Sequence, residues 1–203
     1  LAVDHLHIVG DIFDRGPCAD RIMDLLMTYH SIDIEWGNHD ILWMGAAAGN
    51  RACIATVIRN NLKYDNMKIL ENSYGISLRN LTLYAEKIYP GIDPMKAALK
   101  EISVLLFKLE GQVILRNPDY KMEDKLLLHK VDVARQTVEI DGREYDIKEE
   151  TFPTVNFAAE NLEDVYRLTE EEEQVVEGLE MAFVNSIRLR QHIDFLYKKG
   201  SMY

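Results

Sequence analysis

Asp11, Asp14 and Arg15 share one short motif, Gly10-Asp11-Ile12-Phe13-Asp14-Arg15-Gly16, and Asn38, His39 and Asp40 share a second, Gly37-Asn38-His39-Asp40. These residue types suit phosphoester chemistry on divalent metal. Hard or borderline cations take carboxylate and amide oxygens, and two such ions roughly 3.5–4 Å apart can clamp the attacking and leaving oxygens of a phosphoryl transfer. Asp11 can bridge two ions and Asn38 can offer its amide oxygen to one of them. Arg15 brings a planar fork matched to phosphate oxygens, which a lysine lacks. His39 is left as the general acid for the leaving alkoxide, with Asp14 as the carboxylate that holds its other ring nitrogen. Asp40 reads as a tie for the loop.

Positioning these groups falls to the runs around them. Leu6-His7-Ile8-Val9 and Ile32-Asp33-Ile34-Glu35-Trp36 are strand-like and lead directly into the two motifs. Between them Ile22, Leu25, Leu26 and Tyr29 recur at helical spacing, so the unit reads as β-α-β with its polar residues where strands end, the edge at which open α/β sheets bind ligands.

Further along, Ile41, Leu42, Met44 and Ala47, then Ile54, Val57, Ile58 and Leu62, predict two helices broken near Gly49-Asn50. Helical patterns follow from Leu78 to Ile88 and from Pro94 to Leu109, the latter ending at Gly111. Residues 125–131, 137–140 and 143–147 alternate as short strands, with Asp141-Gly142 as a hairpin turn. One long helix is predicted from a capping box at Thr169-Glu170-Glu171-Glu172 to about Tyr197, its acidic start a solvated cap and its stripe Val175, Val176, Leu179, Ala182, Phe183, Ile187, Ile193 and Leu196. The histidines outside the motifs read as structural: His5 and His7 packed against neighbours, His30 at a helix end, His129 on a surface strand. Arg188, Arg190 and His192 read as surface charges, with an anion site as the alternative.

The longer text has a family likeness. His5 through Pro17 and Glu35 through Ala47, with Thr151-Phe152-Pro153-Thr154 and His192 through Tyr203, resemble the class III fructose-1,6-bisphosphatases within the calcineurin-like metallophosphoesterases, and the likeness spans nearly the whole chain. The resemblance implies a metal-dependent phosphomonoesterase, most specifically one removing the 1-phosphate of fructose 1,6-bisphosphate at a two-metal site, with Mn2+ the ion by family likeness, while the oxygen and nitrogen ligands would also suit magnesium, iron or zinc. It also implies an early Asp-x-His and two late histidines, which the chain lacks. The chain has no initiator Met and opens in a strand-like run at residues 1–4, so it reads as an internal fragment, inactive alone. The implied fold class is mixed α/β, a partial calcineurin-like sandwich: a β-α-β core over 1–45, a helical insertion over 46–120 that shapes or simply caps the mouth of the site, a β-hairpin segment over 121–160, and a long helix over 161–203. A phosphoprotein phosphatase, a dinucleotide polyphosphate hydrolase and a non-catalytic helical scaffold are the alternatives.

Composition narrows the partners. A net charge of -11 argues against nucleic acid, since a phosphate-backbone binder presents a basic face, yet leaves room for a small sugar bisphosphate held by a local cation cluster. No apolar run approaches membrane-spanning length, so no membrane partner is expected. Two cysteines, Cys18 and Cys53, are too few for a disulfide framework and point to a reduced, cytoplasmic setting with inert thiols. Self-association into a homo-oligomer is left open.

Overall fold

The computed structural model describes residues 4–148 and 150–201, so the strand-like opening falls, apart from Asp4, outside the described residues, as does the end of the motif running to Tyr203. The chain is a mixed α/β protein. In order, β1 (Leu6–Ile8), α1 (Ala19–Met27), β2 (Ile32–Glu35), α2 (Asn38–Ala47) and α3 (Arg51–Lys63) lead through a π-helical turn (Ile69–Ser73) to α4 (Arg79–Ile88) and α5 (Pro94–Arg116). Short strands β3 (Val131–Asp132), β4 (Thr137–Ile140) and β5 (Arg143–Asp146) precede α6 (Leu162–Val165), α7 (Glu170–Asn185), α8 (Ile187–Lys199) and β6 (Gly200–Ser201).

β1 and β2 are parallel, with Leu6 opposite Ile32 and Ile8 opposite Ile34, and β6 joins β2 as a third parallel strand. β3, β4 and β5 form a separate antiparallel sheet, whose Asp141-Gly142 turn has φ of 51° and 72°, the two left-handed positions of a tight hairpin. One buried cluster joins Phe13, Met23 and Ile34 of the first unit to Trp43, Ile58, Leu81, Leu105, Phe183 and Leu196 of the helices. A smaller one, with Leu126, Leu128, Val165 and Tyr166, covers the far end of α5.

Several elements depart from the sequence reading. α1 buries Ala19, Asp20, Met23 and Leu26, while Ile22 and Leu25 are 43% and 70% exposed. The helix carries two candidate stripes, and the docked one includes an acid, Asp20, because Arg188 meets it at 3.2 Å. α5 does not stop at Gly111 but runs through it; a Cβ there would fall 2.1 Å from the Tyr166 ring, so this glycine makes room for an aromatic side chain. Two 3-10 turns, Glu123–Lys125 and Leu128–Lys130, stand in place of the predicted strand, with only Val131 in β3, and the alternation arises because Leu126 and Leu128 both enter the smaller core.

The single C-terminal helix is two. Ser186 sits at ψ 104°, outside helical space, and its hydroxyl both donates to the Tyr74 carbonyl at 2.7 Å and caps the next helix at Leu189 N–H. Ile187, counted in the apolar stripe, is thereby 74% exposed. The capping box at Thr169 and Glu172 forms as read, but the acidic start is a solvated cap only in part: Glu170, Glu171 and Glu173 are exposed, the last two pairing with Lys87 and Arg51, whereas Glu172 is fully buried against Lys108 Nζ at 2.7 Å. A buried lysine and a buried acid each require the other, since either left alone would be an uncompensated charge.

The structural histidines differ as well. His5 and His7 are exposed and flank Asp33, holding its carboxyl below the usual range. His30 lies beyond the end of α1 and donates to the Asp4 carbonyl at 2.9 Å. His129 sits on a 3-10 turn with Nδ1 3.1 Å from the Tyr166 hydroxyl. His192, read as a surface charge, is buried: Nε2–H donates to Asp24 at 3.0 Å and Nδ1 accepts from the Tyr74 hydroxyl at 3.0 Å. Burial pushes its pKa down, keeping the ring neutral between those partners.

Candidate active site

Both motifs end on the same edge of the parallel sheet, and backbone geometry explains their glycines. Gly10 and Asp11 take φ of 84° and 53°, a left-handed pair that reverses the chain after β1. A Cβ on Gly10 would lie 2.5 Å from Gly37 N, and one on Gly37 would lie 2.1 Å from Asp11 Oδ1. The two loops are therefore seated against each other with no room for a side chain between them.

Asp40 holds them there. Its buried carboxylate accepts the N–H of Asp11 at 2.7 Å, of Gly37 at 3.0 Å and of Phe13 at 3.2 Å. Burial pushes its pKa up, while the three backbone donors pull the other way. Phe13 packs on Trp43 of α2 with ring centroids 4.9 Å apart, anchoring the first loop to the helix that carries the second motif. Asn38 and His39 stand in the first turn of α2, not in a loop, at the positive end of the helix dipole.

On this base the polar residues converge. Asp11 Oδ1 accepts the backbone N–H of His39 at 3.1 Å. His39 Nε2 lies 3.0 Å from Asp14 Oδ1, an ion-pair contact that leaves Nδ1 on the other side of the ring. Arg15 Nε lies 3.5 Å from the same Asp14 oxygen, a half-exposed contact of small energetic weight. Asp11, Asp14, Arg15 and Asn38 are all exposed.

Two further residues were not singled out in the sequence. Tyr64 and Asn66, just past the end of α3, take hold of Arg15: its guanidinium carbon stands 4.8 Å over the Tyr64 ring, and its carbonyl accepts Asn66 Nδ2–H at 2.6 Å. With Asn60 of α3 they wall a narrow crevice that also takes in Asp14, Arg15 and His39 and has space for about one water. Neither carries a motif; only the fold brings the end of α3 to Arg15.

Asp11 and Asn38 offer hard oxygen donors of the kind a divalent cation takes. The donor chemistry fits such an ion, but in number it fills only part of a shell, for among the described residues no group of three or more His, Cys, Asp or Glu could hold one.

Parallel strands whose carboxyl ends carry two interlocked polar loops define an α/β protein with a ligand-binding edge where such sheets place one. Comparison with known proteins narrows this class. The model of the Firmicute fructose-1,6-bisphosphatase family matches residues 1–203, and the chain belongs to that family. It is 46% identical to "Fructose-1,6-bisphosphatase class 3" of Listeria innocua, 44% to that of Clostridium novyi and 45% to that of Alkaliphilus metalliredigens, each match covering 100% of this chain and 33% of the relative. The chain thus spans about a third of the length of these curated relatives. No solved structure matches it.

Proposed function

We propose that the full-length protein is a metal-dependent phosphomonoesterase that removes the 1-phosphate of fructose 1,6-bisphosphate, leaving fructose 6-phosphate, and that the present chain supplies the acid and the phosphate-binding side of the site. The carrying observation is the Asp14–His39 contact at 3.0 Å, set beside Arg15 and on the same edge as Asp11 and Asn38. Asp11 and Asn38 would hold metal, read as a pair of Mn2+ ions completed by ligands outside this chain. The chemistry a bound pair supplies is Lewis-acid polarisation of the phosphoryl oxygens.

The chain's own residues do the rest. Arg15, steadied by Tyr64, binds the oxygens of the transferred phosphate and meets the negative charge that spreads over them. Asn38 and His39 add donors to the same phosphate. His39 gives a proton to the departing sugar oxygen from Nδ1, while Asp14 at Nε2 fixes the tautomer and balances the imidazolium. Asp40 keeps both loops in register. In this reading residues 1–45 belong to a partial calcineurin-like sandwich, and the helices of 46–120 form an insertion over its mouth. The substrate partner is a sugar bisphosphate, with neither nucleic acid nor membrane involved; among the described residues no helix is long and apolar enough to cross a membrane. The setting is cytoplasmic.

The test is phosphate release by the full-length protein with manganese, from fructose 1,6-bisphosphate, an aryl phosphate and a phosphoserine peptide. Strong preference for the bisphosphate is expected. Activity on the other two alone would keep the site and move the substrate, and inactivity on all three would overturn the reading.

A further inference from the structure

Arg188, Arg190 and His192 are already engaged: Arg188 meets Asp24 at 2.6 Å, His192 meets Asp24, and Arg190 caps the Val184 carbonyl. A different set is left over. Helices α3 and α5 and the segment around 150–152 enclose a groove of about 500 Å3 lined by Arg59, Lys96 and Lys100, with Leu99, Phe107 and Phe152 as apolar wall. Only Lys100 has an ion-pair partner, Glu150 at 2.9 Å, and its ammonium also lies 5.5 Å from the Tyr89 ring. Arg59 uses a single N–H, Nε to Ser103 Oγ at 3.2 Å, and that hydroxyl in turn donates to the Leu99 carbonyl at 2.7 Å. Its Nε is therefore fixed while its terminal nitrogens, like the Lys96 ammonium, have no carboxylate partner among the described residues. Glu110 of α5 is near enough to feel the charge of Arg59, yet forms no ion pair with it.

Arg59 and Lys96, without an ion-pair partner among the described residues, line this groove together with the half-buried rings of Phe107 and Phe152, while Glu150, which also lines it, is taken up by Lys100. Together the two cations balance a dianion, and a guanidinium oriented through Nε presents its remaining donors as a fork, which suits the tetrahedral oxygens of a phosphate. We infer that this groove is a second anion site, taking a small phosphomonoester whose phosphate lies between Arg59 and Lys96 and whose organic body rests on Phe107 and Phe152. The site does not depend on the phosphatase reading. Arg59 and Asn60 are neighbours on α3, but consecutive helical residues diverge, and Asn60 lines the crevice at His39 whereas Arg59 lines the groove.

Phenyl phosphate titrated calorimetrically into the full-length protein, in excess chelator so that no divalent ion draws phosphate to the candidate active site, tests this. Saturable binding is expected that Arg59→Met combined with Lys96→Met weakens by about tenfold or more, that Arg15→Met leaves unchanged, and that rising salt weakens. Phenol should not bind. Because Lys96 is exposed, Lys96→Met alone keeps the fold and must weaken binding several-fold. Absence of saturable binding, an affinity indifferent to the groove variants, or its loss in Arg15→Met would overturn the site. Benzoate binding as tightly as phenyl phosphate would overturn the assignment to phosphate.

Discussion

At the scale of single residues, the site separates chemistry from support, and substitutions should separate them too. His39 is placed by Asp14 on one ring nitrogen and by its backbone N–H on Asp11. His39→Ala in the full-length protein should therefore lower turnover by about 10²–10⁴-fold, the range for a lost general acid, while manganese binding measured by calorimetry changes little. Equal loss of both would contradict the acid role. Asp11→Asn should strip at least one metal, read directly by elemental analysis, and unchanged stoichiometry would count against a bridging position. Asp40 belongs to neither group. Its removal leaves the N–H groups of Asp11, Phe13 and Gly37 without their acceptor, so Asp40→Ala should cost about 2–4 kcal/mol in denaturant unfolding and disable the site with no direct role in the reaction.

Between elements, stability rests on a polar contact set inside the helical core. Glu101 of α5 is fully buried beside Tyr89 and the Lys108–Glu172 pair, with the Tyr89 hydroxyl as its near polar neighbour and no cation paired to its carboxylate among the described residues. Burial, then the charge of Glu172, push its pKa from 4.5 up to about 7. Between those two pH values the folded state holds a proton that the unfolded state has lost. This contribution to stability is thus complete below about 4.5 and disappears as pH rises to about 7, a loss on the order of 3 kcal/mol. Glu101→Gln, which mimics the protonated acid, should flatten this slope and leave the variant more stable than the parent at pH 8; parallel stability curves for the two would refute the assignment. Little of this contact set was legible in the sequence. Periodicity marks Ile58 and Leu179 as core, and the motifs mark the loops, because both signals are local. Glu172 looks like one acid in a solvated run until Lys108, on another helix, meets it. Ser186 looks like an ordinary helical serine until the Tyr74 carbonyl claims its hydroxyl, and Tyr64 and Asn66 acquire a role only when α3 ends beside Arg15.

For the whole molecule the decisive quantity is how many metal ligands this chain contains. Asp11 and Asn38 are held firmly, their loops locked by Asp40 and by the contact of Gly10 with Gly37, so the donors present are already organised before any ion arrives. Organisation of two donors does not make a shell, however, because affinity follows ligand number and closed geometry, and among the described residues nothing adds a third. The 203-residue chain titrated with manganese should therefore bind at least about 100-fold more weakly than the full-length protein and release no phosphate from fructose 1,6-bisphosphate. Unequal metal affinity with equal thermal stability of the shared helical core would place the missing contribution in the ligands. A short chain that instead bound two ions tightly would mean that it carries donors beyond Asp11 and Asn38, and would overturn this count.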